Sequence, residues 1–319
     1  MKDVLTHISD SGIVPVIAID DAENAEPLAG ALMDGGLPCA EVTFRTAAAA
    51  ESIKRIAVRY PEMLVGAGTV LTVDQVKTAV GNGARFIVSP GLNPKTVEYC
   101  LANGVPVFPG VATPSDVERA LELGLSVVKF FPAEANGGLN YLKAMAGPYR
   151  QMRFIPTGGI DESNLLSYLR YAPIVACGGS WMVKPEAIAE RRFDEVRSLT
   201  QRAVSLMLGL ELKHLGINAS SPEESLRQAT IIAALLNVPV KEGNSSNFAG
   251  AQFEVMKRPY RGTHGHAAIG THFIERAVAH FERRGFRFAP ETNVEKNGKR
   301  VAVYFEEEFA GFAFHLLQN

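Results

Sequence analysis

The chain has 319 residues, of which 47% are hydrophobic and 21% are charged, and its formal net charge is -2. This balance is ordinary for a globular protein and gives no reason to expect a nucleic-acid or membrane partner, so small molecules are the expected ligands. The first residues do not resemble a signal peptide, and the apolar run Ile13–Ile19 is too short to cross a bilayer, so we expect a cytoplasmic protein. Three widely spaced cysteines, Cys39, Cys100 and Cys177, fit reduced thiols.

From Ile13 to about Leu208, short β-branched runs alternate with longer amphipathic stretches, the pattern of β/α units around a parallel sheet. Eight units in about 200 residues favour a closed (β/α)8 barrel, a TIM barrel, over a doubly wound open sheet, although an open sheet stays compatible with the pattern. The predicted strands are Ile13–Ile19, Ala40–Phe44, Leu64–Thr69, Phe86–Ser89, Val105–Pro109, Ser126–Phe131, Phe154–Thr157 and Ile174–Gly178. The following helices are predicted to begin near Ala22, Ala47, Thr72, Pro94, Thr113, Gly138, Glu162 and Glu186.

One lysine, Lys129, interrupts the apolar sixth strand. Lysine is uncommon in strands and is rarely fully buried, so Lys129 either extends to solvent or is held inside for chemistry. A solvated strand end is the more frequent case. Side-chain alternation nevertheless places Lys129 and Phe131 on the inner face of the barrel, with Phe130 toward the helices. A lysine held out of water is more often the free amine that attacks a carbonyl to form a Schiff base.

A polar set lies on the second predicted strand, where Glu41, Thr43 and Arg45 alternate with apolar residues. The alternation directs these three side chains toward the barrel mouth. A carboxylate inside a barrel must be paired or functional, because an isolated buried charge is costly. An ion pair between Glu41 and Arg45 explains the pattern as well as catalysis does. A Glu41 carboxylate beside Lys129 could instead move the protons that imine chemistry requires.

Two glycine pairs follow the seventh and eighth predicted strands, Gly158-Gly159 and Gly178-Gly179, and Ser180 comes directly after the second pair. Loops after these strands are the usual phosphate-binding place in barrels, because their backbone N–H groups are exposed. Tight β/α turns also need glycine, so each pair alone is weak support, and the two positions together are stronger. Thr69 adds a hydroxyl at the end of the third strand.

Eight short segments in this order carry a family resemblance: VPVI (14–17), EVTFRT (41–46), GAGTV (66–70), VSPG (88–91), PGVATP (109–114), VKFFPA (128–133), PTGGI (156–160) and GGS (178–180). Through them, residues 1 to about 208 closely resemble the class I aldolases that cleave 2-keto-3-deoxy-6-phosphogluconate (KDPG) and often also 4-hydroxy-2-oxoglutarate (KHG). The resemblance implies a lyase of carbohydrate metabolism, placed in the Entner–Doudoroff pathway. It also implies a homotrimer that needs no cofactor or metal for the aldolase reaction.

The resemblance also assigns roles to individual residues. It implies that Lys129 forms the Schiff base with the keto carbon and that Glu41 is the general acid and base, working through a water molecule. Arg45 and Thr69 would orient the pyruvyl carboxylate and the carbinolamine, and Phe131 would pack on the pyruvyl part. The implied phosphate-binding residues are Gly158, Gly159, Gly178, Gly179 and Ser180.

The implied reaction follows from the electronics of the imine. A protonated imine is an electron sink, so cleavage of the C3–C4 bond leaves an enamine, and hydrolysis returns pyruvate and an aldehyde. The aldehyde is glyceraldehyde 3-phosphate from KDPG and glyoxylate from KHG. The chain departs from some relatives at the end of the first strand, where Ala18-Ile19-Asp20 replaces a basic residue and leaves the preferred aldehyde open.

The sequence changes character near Gly209, and we predict a separate α+β domain of two similar halves over residues 209–319. The first half is predicted to contain a strand at Leu210–Asn218, a helix at Pro222–Asn237 and strands at Ser246–Phe248 and Phe253–Lys257. The second half is predicted to contain a strand at Gly265–Gly270, a helix at Phe273–Gly285 and strands at Phe286–Phe288, Arg300–Phe305 and Gly311–Leu317.

Each half has a histidine in its first strand, His214 or His266, and ends with a polar residue in an apolar strand, Glu254 or His315. This pattern resembles the glyoxalase-like (vicinal oxygen chelate) fold, whose paired βαβββ modules bring four such positions to one metal. The resemblance implies a divalent metal at these residues, such as zinc, nickel, manganese or iron. His315 stands where relatives commonly have glutamate. Strand-end histidines with ordinary hydrogen bonds are the competing explanation.

Three hypotheses for the whole chain follow. The leading one is an aldolase barrel fused to a glyoxalase-like module that either binds a metal or is structural. A rival is a catalytically silent phosphate-binding barrel joined to a metal-dependent isomerase or dioxygenase. A third is a C-terminal domain that senses a ligand and regulates the barrel. The presence of Lys129, Glu41 and both glycine pairs favours the first hypothesis.

Overall fold

The computed structural model describes residues 3–319, and the chain divides between residues 207 and 208 into two compact units. Across the described residues, no helix has both the length and the apolar character that a membrane span requires. The first unit alternates strands and helices. The second unit is built on one eight-stranded sheet.

Short buried strands form the inner layer of the first unit, and all eight predicted strand positions contain one. They are β1 (Ile13–Ile17), β2 (Cys39–Thr43), β3 (Leu64–Gly68), β4 (Ile87–Val88), β5 (Val107–Phe108), β6 (Gly110–Val111), β7 (Val127–Phe130), β8 (Arg153–Pro156) and β9 (Cys177–Gly179). The fifth predicted strand, Val105–Pro109, contains only β5. Strand β6 was not predicted and begins after Pro109, which has no N–H to donate to a neighbouring strand. The eighth begins at Cys177, three residues later than predicted.

The strands of the first unit pair in parallel around a barrel-like (β/α) fold. One sheet has the order β5-β4-β3-β2-β1-β9 and another has the order β6-β7-β8. Two single bridges, from Phe154 to Ile174 and from Thr157 to Gly178, connect the β8 side to the β9 side. Pro109 joins β5 to β6 directly along the chain. The pairing therefore corresponds to the barrel and not to the doubly wound sheet.

Ten helices are described up to residue 208, where eight were predicted: the first was not predicted, and two helices occupy the place of the one predicted to begin near Glu186. They are α1 (Val4–Ser11), α2 (Ala25–Asp34), α3 (Ala49–Arg59), α4 (Val73–Gly81), α5 (Pro94–Ala102), α6 (Pro114–Glu122), α7 (Gly138–Ala146), α8 (Leu165–Leu169), α9 (Pro185–Ala189) and α10 (Phe193–Leu208), with a 3-10 turn at Ala22–Asn24 before α2. Local chemistry fixes several starts. At α6, for example, Thr113 and Asp116 form a reciprocal capping box ahead of the first turn.

Apolar side chains fill the barrel below the polar residues. The early residues of several strands, among them Val14, Cys39, Leu64 and Val127, form one buried cluster together with Ile8 of α1. This packing excludes water from the amino-terminal end of the barrel. Polar residues can then face the interior only further along the strands, toward their carboxyl ends, where barrel enzymes place their chemistry.

The second unit contains two halves with the same order of elements. The first half comprises β10 (Glu211–Asn218), α11 (Pro222–Leu236), β11 (Val240–Glu242), β12 (Ser246–Ala249) and β13 (Phe253–Met256). The second comprises β14 (Gly265–Thr271), α12 (Ile274–Arg283), β15 (Val294–Lys296), β16 (Lys299–Phe309) and β17 (Phe312–Gln318), with a 3-10 turn at Pro290–Thr292. The predicted strand at Phe286–Phe288 is wrong, because only Phe288 pairs there, in a single bridge to Phe305. Strands β11 and β15 were not predicted.

The pairing repeats between the halves. The sheet order is β11-β12-β13-β10-β14-β17-β16-β15, so each half contributes four neighbouring strands in the same internal sequence. In each half the first strand pairs in parallel with the last one, β10 with β13 and β14 with β17. The halves meet through the antiparallel pair β10 and β14. Each half is therefore a βαβββ unit, and the four central strands are the first and last strands of the two halves.

Candidate active site

Lys129 and Glu41 meet inside the barrel. Lys129 lies on β7 and is 5% exposed, and Glu41 lies on β2 and is 3% exposed. The Lys129 Nζ is 3.3 Å from the Glu41 Oε1. Phe130, the neighbour of Lys129 along β7, points the other way and stacks on Tyr141 of α7. Strand alternation therefore brings one cation and one carboxylate together from strands far apart in the sequence.

The close approach of Glu41 depends on a glycine in the neighbouring strand. A Cβ added at Gly68 of β3 would clash with the Glu41 carboxylate. Removing two charges from water costs several kcal/mol per ion, and only good geometry and further hydrogen bonds offset that cost. Two apolar residues would fill the same space without this cost. A buried pair of this kind is where perturbed, reactive groups are concentrated in enzymes.

Arg45 and Thr69 form a second contact nearby. The Arg45 Nε donates to the Thr69 Oγ1 at 3.4 Å, so Arg45 contacts Thr69 while Glu41 contacts Lys129. Thr69 has a φ of 56°, a left-handed conformation that a β-branched residue rarely adopts. The Phe131 ring lies with its centroid 5.1 Å from the Lys129 Nζ. The sequence left open whether Arg45 or Lys129 is the partner of Glu41, and the structure selects Lys129.

A cavity of about 270 Å³ opens on this end of the barrel. The predicted site residues that line it are Arg45, Phe131, Gly158, Gly159, Gly178, Gly179 and Ser180. Thr157 also lines the cavity and was not singled out from the sequence. Its Oγ1 is buried and has no hydrogen-bond partner among the described residues, so it is available to a bound molecule. The available signal was a hydroxyl residue at the end of β8, directly before a glycine pair.

The Gly158-Gly159 turn is fixed by the residues that follow β7. Gly158 and Gly159 have φ values of 98° and 81°, which favour glycine at both positions. The Glu134 N–H donates to the Gly158 carbonyl at 3.0 Å. The Tyr168 hydroxyl donates to the Glu134 Oε1 at 2.5 Å, and burial together with this hydrogen bond raises the pKa of the tyrosine. The turn is therefore connected to the segment that follows the strand carrying Lys129.

The first unit is similar to proteins of one known family. A family model described as the KDPG and KHG aldolases matches residues 4–199. The chain belongs to the KDPG and KHG aldolase family. A 2-dehydro-3-deoxy-phosphogluconate aldolase of Treponema pallidum is 50% identical over 195 residues, which are 61% of this chain and 93% of the relative. The corresponding aldolase of Haemophilus influenzae is 46% identical over 206 residues, or 65% of this chain and 97% of the relative.

Solved structures of the family have the same barrel. The KDPG aldolase of Legionella pneumophila, with pyruvate captured as a covalent carbinolamine intermediate, has a TM-score of 0.61 and 38% identity, and the match covers 63% of this chain and 98% of that one. The 2-keto-3-deoxy-6-phosphogluconate aldolase of Zymomonas mobilis with 3-phosphoglycerate has a TM-score of 0.59 and 41% identity, covering 64% and 95%. The family match accounts for the first unit and ends before the second one begins.

A second cluster of chemically active side chains lies on the central strands of the second unit. His214 is on β10, Glu254 on β13, His266 on β14 and His315 on β17. The Glu254 Oε2 is 3.2 Å from the His266 Nε2 and 3.3 Å from the His214 Nε2, and these two nitrogens are 3.2 Å apart. One ring nitrogen from each of the three histidines lies within 4.8 Å of the others. The structure thus brings together all four predicted residues.

In this cluster, one histidine lacks hydrogen-bond partners, and burial disfavours the protonated form of two histidines. Both ring nitrogens of His315 are buried without a partner among the described residues. Burial, together with His266 and His214, lowers the pKa of His315 to about 4, and burial also lowers that of His214. Burial raises the pKa of Glu254, but hydrogen bonds from His266 and Ser246 and the nearby histidines leave it below its usual range. These shifts favour the carboxylate form of Glu254 and the neutral forms of His214 and His315, the protonation states that bind a divalent cation.

Proposed function

We propose that the first unit is a class I aldolase that cleaves KDPG to pyruvate and glyceraldehyde 3-phosphate and also accepts KHG. The observation that carries the proposal is the buried contact of Lys129 with Glu41, beside the cavity residue Phe131, in a chain of the KDPG and KHG aldolase family. The chemistry uses side chains of the barrel and needs no cofactor. A silent phosphate-binding barrel would have no use for a buried lysine and carboxylate.

The reaction follows from the positions of these two residues. In its free-amine form, the Lys129 Nζ attacks the keto carbon, and loss of water from the carbinolamine gives a protonated imine. Removal of the proton from the C4 hydroxyl breaks the C3–C4 bond, releases the aldehyde and leaves an enamine on Lys129. Protonation of C3 and hydrolysis then release pyruvate. Glu41, whose carboxylate is 3.3 Å from the Nζ, moves these protons, directly or through a water molecule.

The cavity lining supplies the binding groups for the two ends of the substrate. Arg45 provides a guanidinium for the pyruvyl carboxylate, Phe131 lies beside Lys129, and Thr69 accepts a hydrogen bond from Arg45. The phosphate binds at Gly158, Gly159, Gly178, Gly179 and Ser180. The Legionella and Zymomonas relatives support the type of substrate, since one captured pyruvate covalently and the other was solved with a phosphorylated three-carbon acid.

Steady-state pyruvate release from KDPG and from KHG tests this proposal. We expect turnover in the wild type and at most background release in Lys129→Ala. Lys95→Ala is a matched control, because Lys95 is an exposed lysine at the start of α5, the helix that follows β4. Equal turnover in wild type and Lys129→Ala would overturn the assignment, and absence of release from either substrate in the wild type would favour the silent barrel.

We further propose that the second unit is a glyoxalase-like domain that binds a divalent metal through His214, Glu254, His266 and His315. Its paired βαβββ halves and the convergence of the four side chains on neighbouring strands support this proposal. A donor set of three imidazoles and one carboxylate suits zinc, nickel or iron better than magnesium or calcium. The Ser246 hydroxyl donates to the Glu254 Oε1 at 2.6 Å and would orient the carboxylate from the outer shell. A bound ion of this kind supplies Lewis-acid chemistry.

The metal proposal is tested by elemental analysis of the full chain after purification with and without added zinc. We expect about one equivalent of metal, lost in the double variant His214→Ala with His266→Ala. His264→Ala serves as the control, because His264 is exposed and lies outside the four-residue set. The same metal content in the double variant would contradict the proposal and support histidines with a purely structural role.

We also propose that the chain is a cytoplasmic homotrimer assembled through its barrel, as the family resemblance implies. Light scattering coupled to size-exclusion chromatography measures the assembly directly. A mass near three times the 34.4 kDa of the chain is expected. A monomeric or dimeric mass at micromolar concentration would contradict the trimer without affecting the aldolase proposal.

A further inference from the structure

The lining of the barrel cavity carries little positive charge. Arg45 is the only charged residue among the described residues that line it. Arg45 contacts Thr69, in the part of the site that the proposed function assigns to the pyruvyl group. The glycine turns and Ser180 offer N–H and hydroxyl donors to a phosphate, but none of them carries a positive charge. Ala18, which directly follows β1, lines the wall and carries no charge.

A phosphate bound at this end would therefore be poorly compensated by the lining alone. Moving a charged group out of water is costly unless it is paired, and charge-assisted hydrogen bonds are roughly twice as strong as neutral ones. Backbone N–H groups remove part of the cost. A cation within reach of the turns would remove more of it.

Lys184 is the cation that the chain places next to this end of the cavity. Its neighbours on both sides, Val183 and Pro185, line the cavity. The Val183 N–H donates to the Ser180 carbonyl at 3.0 Å, so the segment folds back as a turn beside the predicted phosphate residue. Lys184 is exposed and forms no ion pair with any residue that the structure describes. A lysine has a flexible four-carbon stem, so its ammonium can turn toward an anion in the cavity mouth.

We propose that Lys184 binds the phosphate of the aldolase substrate and sets the preference of the barrel for phosphorylated over unphosphorylated substrates. The proposal rests on the aldolase function proposed above and adds a residue to it. The buried lysine Lys129 reacts with the keto carbon, while the exposed Lys184 recognises the opposite end of the substrate.

Steady-state kinetics with KDPG and KHG test the proposal. In Lys184→Ala, we expect the KM for KDPG to rise about tenfold relative to the KM for KHG, with little change in kcat, because the lost contact is made equally in the ground and transition states. Lys184→Arg should restore most of the preference, and Lys95→Ala should leave it unchanged. An unchanged ratio of the two KM values, or an equal rise in both, would overturn the proposal.

Inorganic phosphate provides a readout that does not depend on turnover. Trp181 is the only tryptophan of the chain and directly follows Ser180, so its fluorescence is placed to report anion binding at the turn. We expect phosphate to bind about tenfold more weakly to Lys184→Ala than to the wild type, with a shallower salt dependence. Equal phosphate affinity in the two proteins, or phosphate binding to neither, would contradict the role of Lys184.

The two proposals fail in distinguishable ways. Reductive trapping of pyruvate on Lys129 involves no phosphate, so its failure removes the aldolase function itself. If trapping succeeds and the phosphate readouts do not respond to Lys184→Ala, only the assignment of Lys184 is wrong.

Discussion

The two units of this chain both gather ionisable side chains on neighbouring strands, but they compensate those side chains differently. In the barrel, Lys129 and Glu41 are a cation and an anion that satisfy each other at 3.3 Å. In the second unit, one carboxylate contacts two of the three clustered histidines, and both ring nitrogens of the third, His315, lack a hydrogen-bond partner among the described residues. An unsatisfied buried polar group costs about 1–3 kcal/mol. The buried charges of the first cluster therefore compensate each other without a bound ion, whereas in the second cluster the proposed divalent cation would supply the missing partner.

Neutralising Glu41 gives the largest expected effect on this comparison. Glu41→Gln keeps the shape of the side chain but removes the charge and the general base. We expect kcat for pyruvate release to fall by about 10²–10⁴-fold, while Lys129 stays in place. Steady-state kinetics with KDPG measure the loss. A kcat equal to that of the wild type would show that the buried pair is structural.

Removing the proposed metal is expected to give the next largest effect, confined to the second unit. A cation present at about 1,000 times its dissociation constant adds about 4 kcal/mol of stability to the folded state. Hydrogen exchange resolved by peptide reads the two units separately. We expect a chelator to accelerate exchange in β10, β13, β14 and β17 and to leave the barrel unchanged. No response, or an equal response in His214→Ala with His266→Ala, would contradict a metal at the four residues.

His280 is a buried histidine outside the four-residue cluster, so it shows how the pKa of a histidine shifts on burial without the cluster. It is 6% exposed on α12, outside the four-residue set, and burial together with Arg284 and Arg283 lowers its pKa to about 4. Because the unfolded histidine has a pKa near 6.5, this residue stabilises the fold above that pH, and the contribution is lost as pH falls toward 4. The loss amounts to at most about 3 kcal/mol. Denaturant unfolding of His280→Leu should show a shallower acid dependence over this window, and an identical slope would contradict it.

The smallest expected effect concerns the pairing of polar groups in the barrel. Tyr168→Phe removes the hydroxyl that donates to Glu134, next to the Gly158-Gly159 turn. We expect a loss of about 1 kcal/mol in the free energy of unfolding and a modest rise in the KM for KDPG. Denaturant unfolding and kinetics on the same preparation measure both. A KM that rises equally for KHG would show that the turn affects the whole cavity.

Much of the barrel could be predicted from periodicity. The alternation of strands and helices located all eight strand positions, and strand parity indicated that Lys129 and Glu41 share the interior. Strand ends and breaks were less predictable, because β5 and β6 separate at Pro109, where pairing switches from one neighbouring strand to another. Helix α1 was not predicted because its apolar face packs on the amino-terminal end of the barrel, and the local sequence pattern does not indicate that contact.

The strand face on which a side chain lies was easier to predict than the residue that this side chain contacts. Arg45 and Lys129 were equally good partners for Glu41 from sequence, and only the pairing register and Gly68 bring the Glu41 carboxylate to Lys129. The sequence does not mark Thr157, whose buried hydroxyl lies at the cavity wall without a hydrogen-bond partner among the described residues. In the second unit, the wrongly predicted strand at Phe286–Phe288 reflects aromatic residues that pack on Phe281 and Phe305 instead of pairing. Tertiary packing overrode β-propensity there.

Lys129 is proposed as the covalent catalyst of the barrel. Borohydride reduction in the presence of pyruvate tests this role most directly. Reduction of the Schiff base fixes the three-carbon unit on the lysine, where peptide mass spectrometry locates it. We predict one adduct per chain, on Lys129, and no adduct in Lys129→Ala. An adduct of equal yield in that variant, or no adduct in the wild type, would contradict the account.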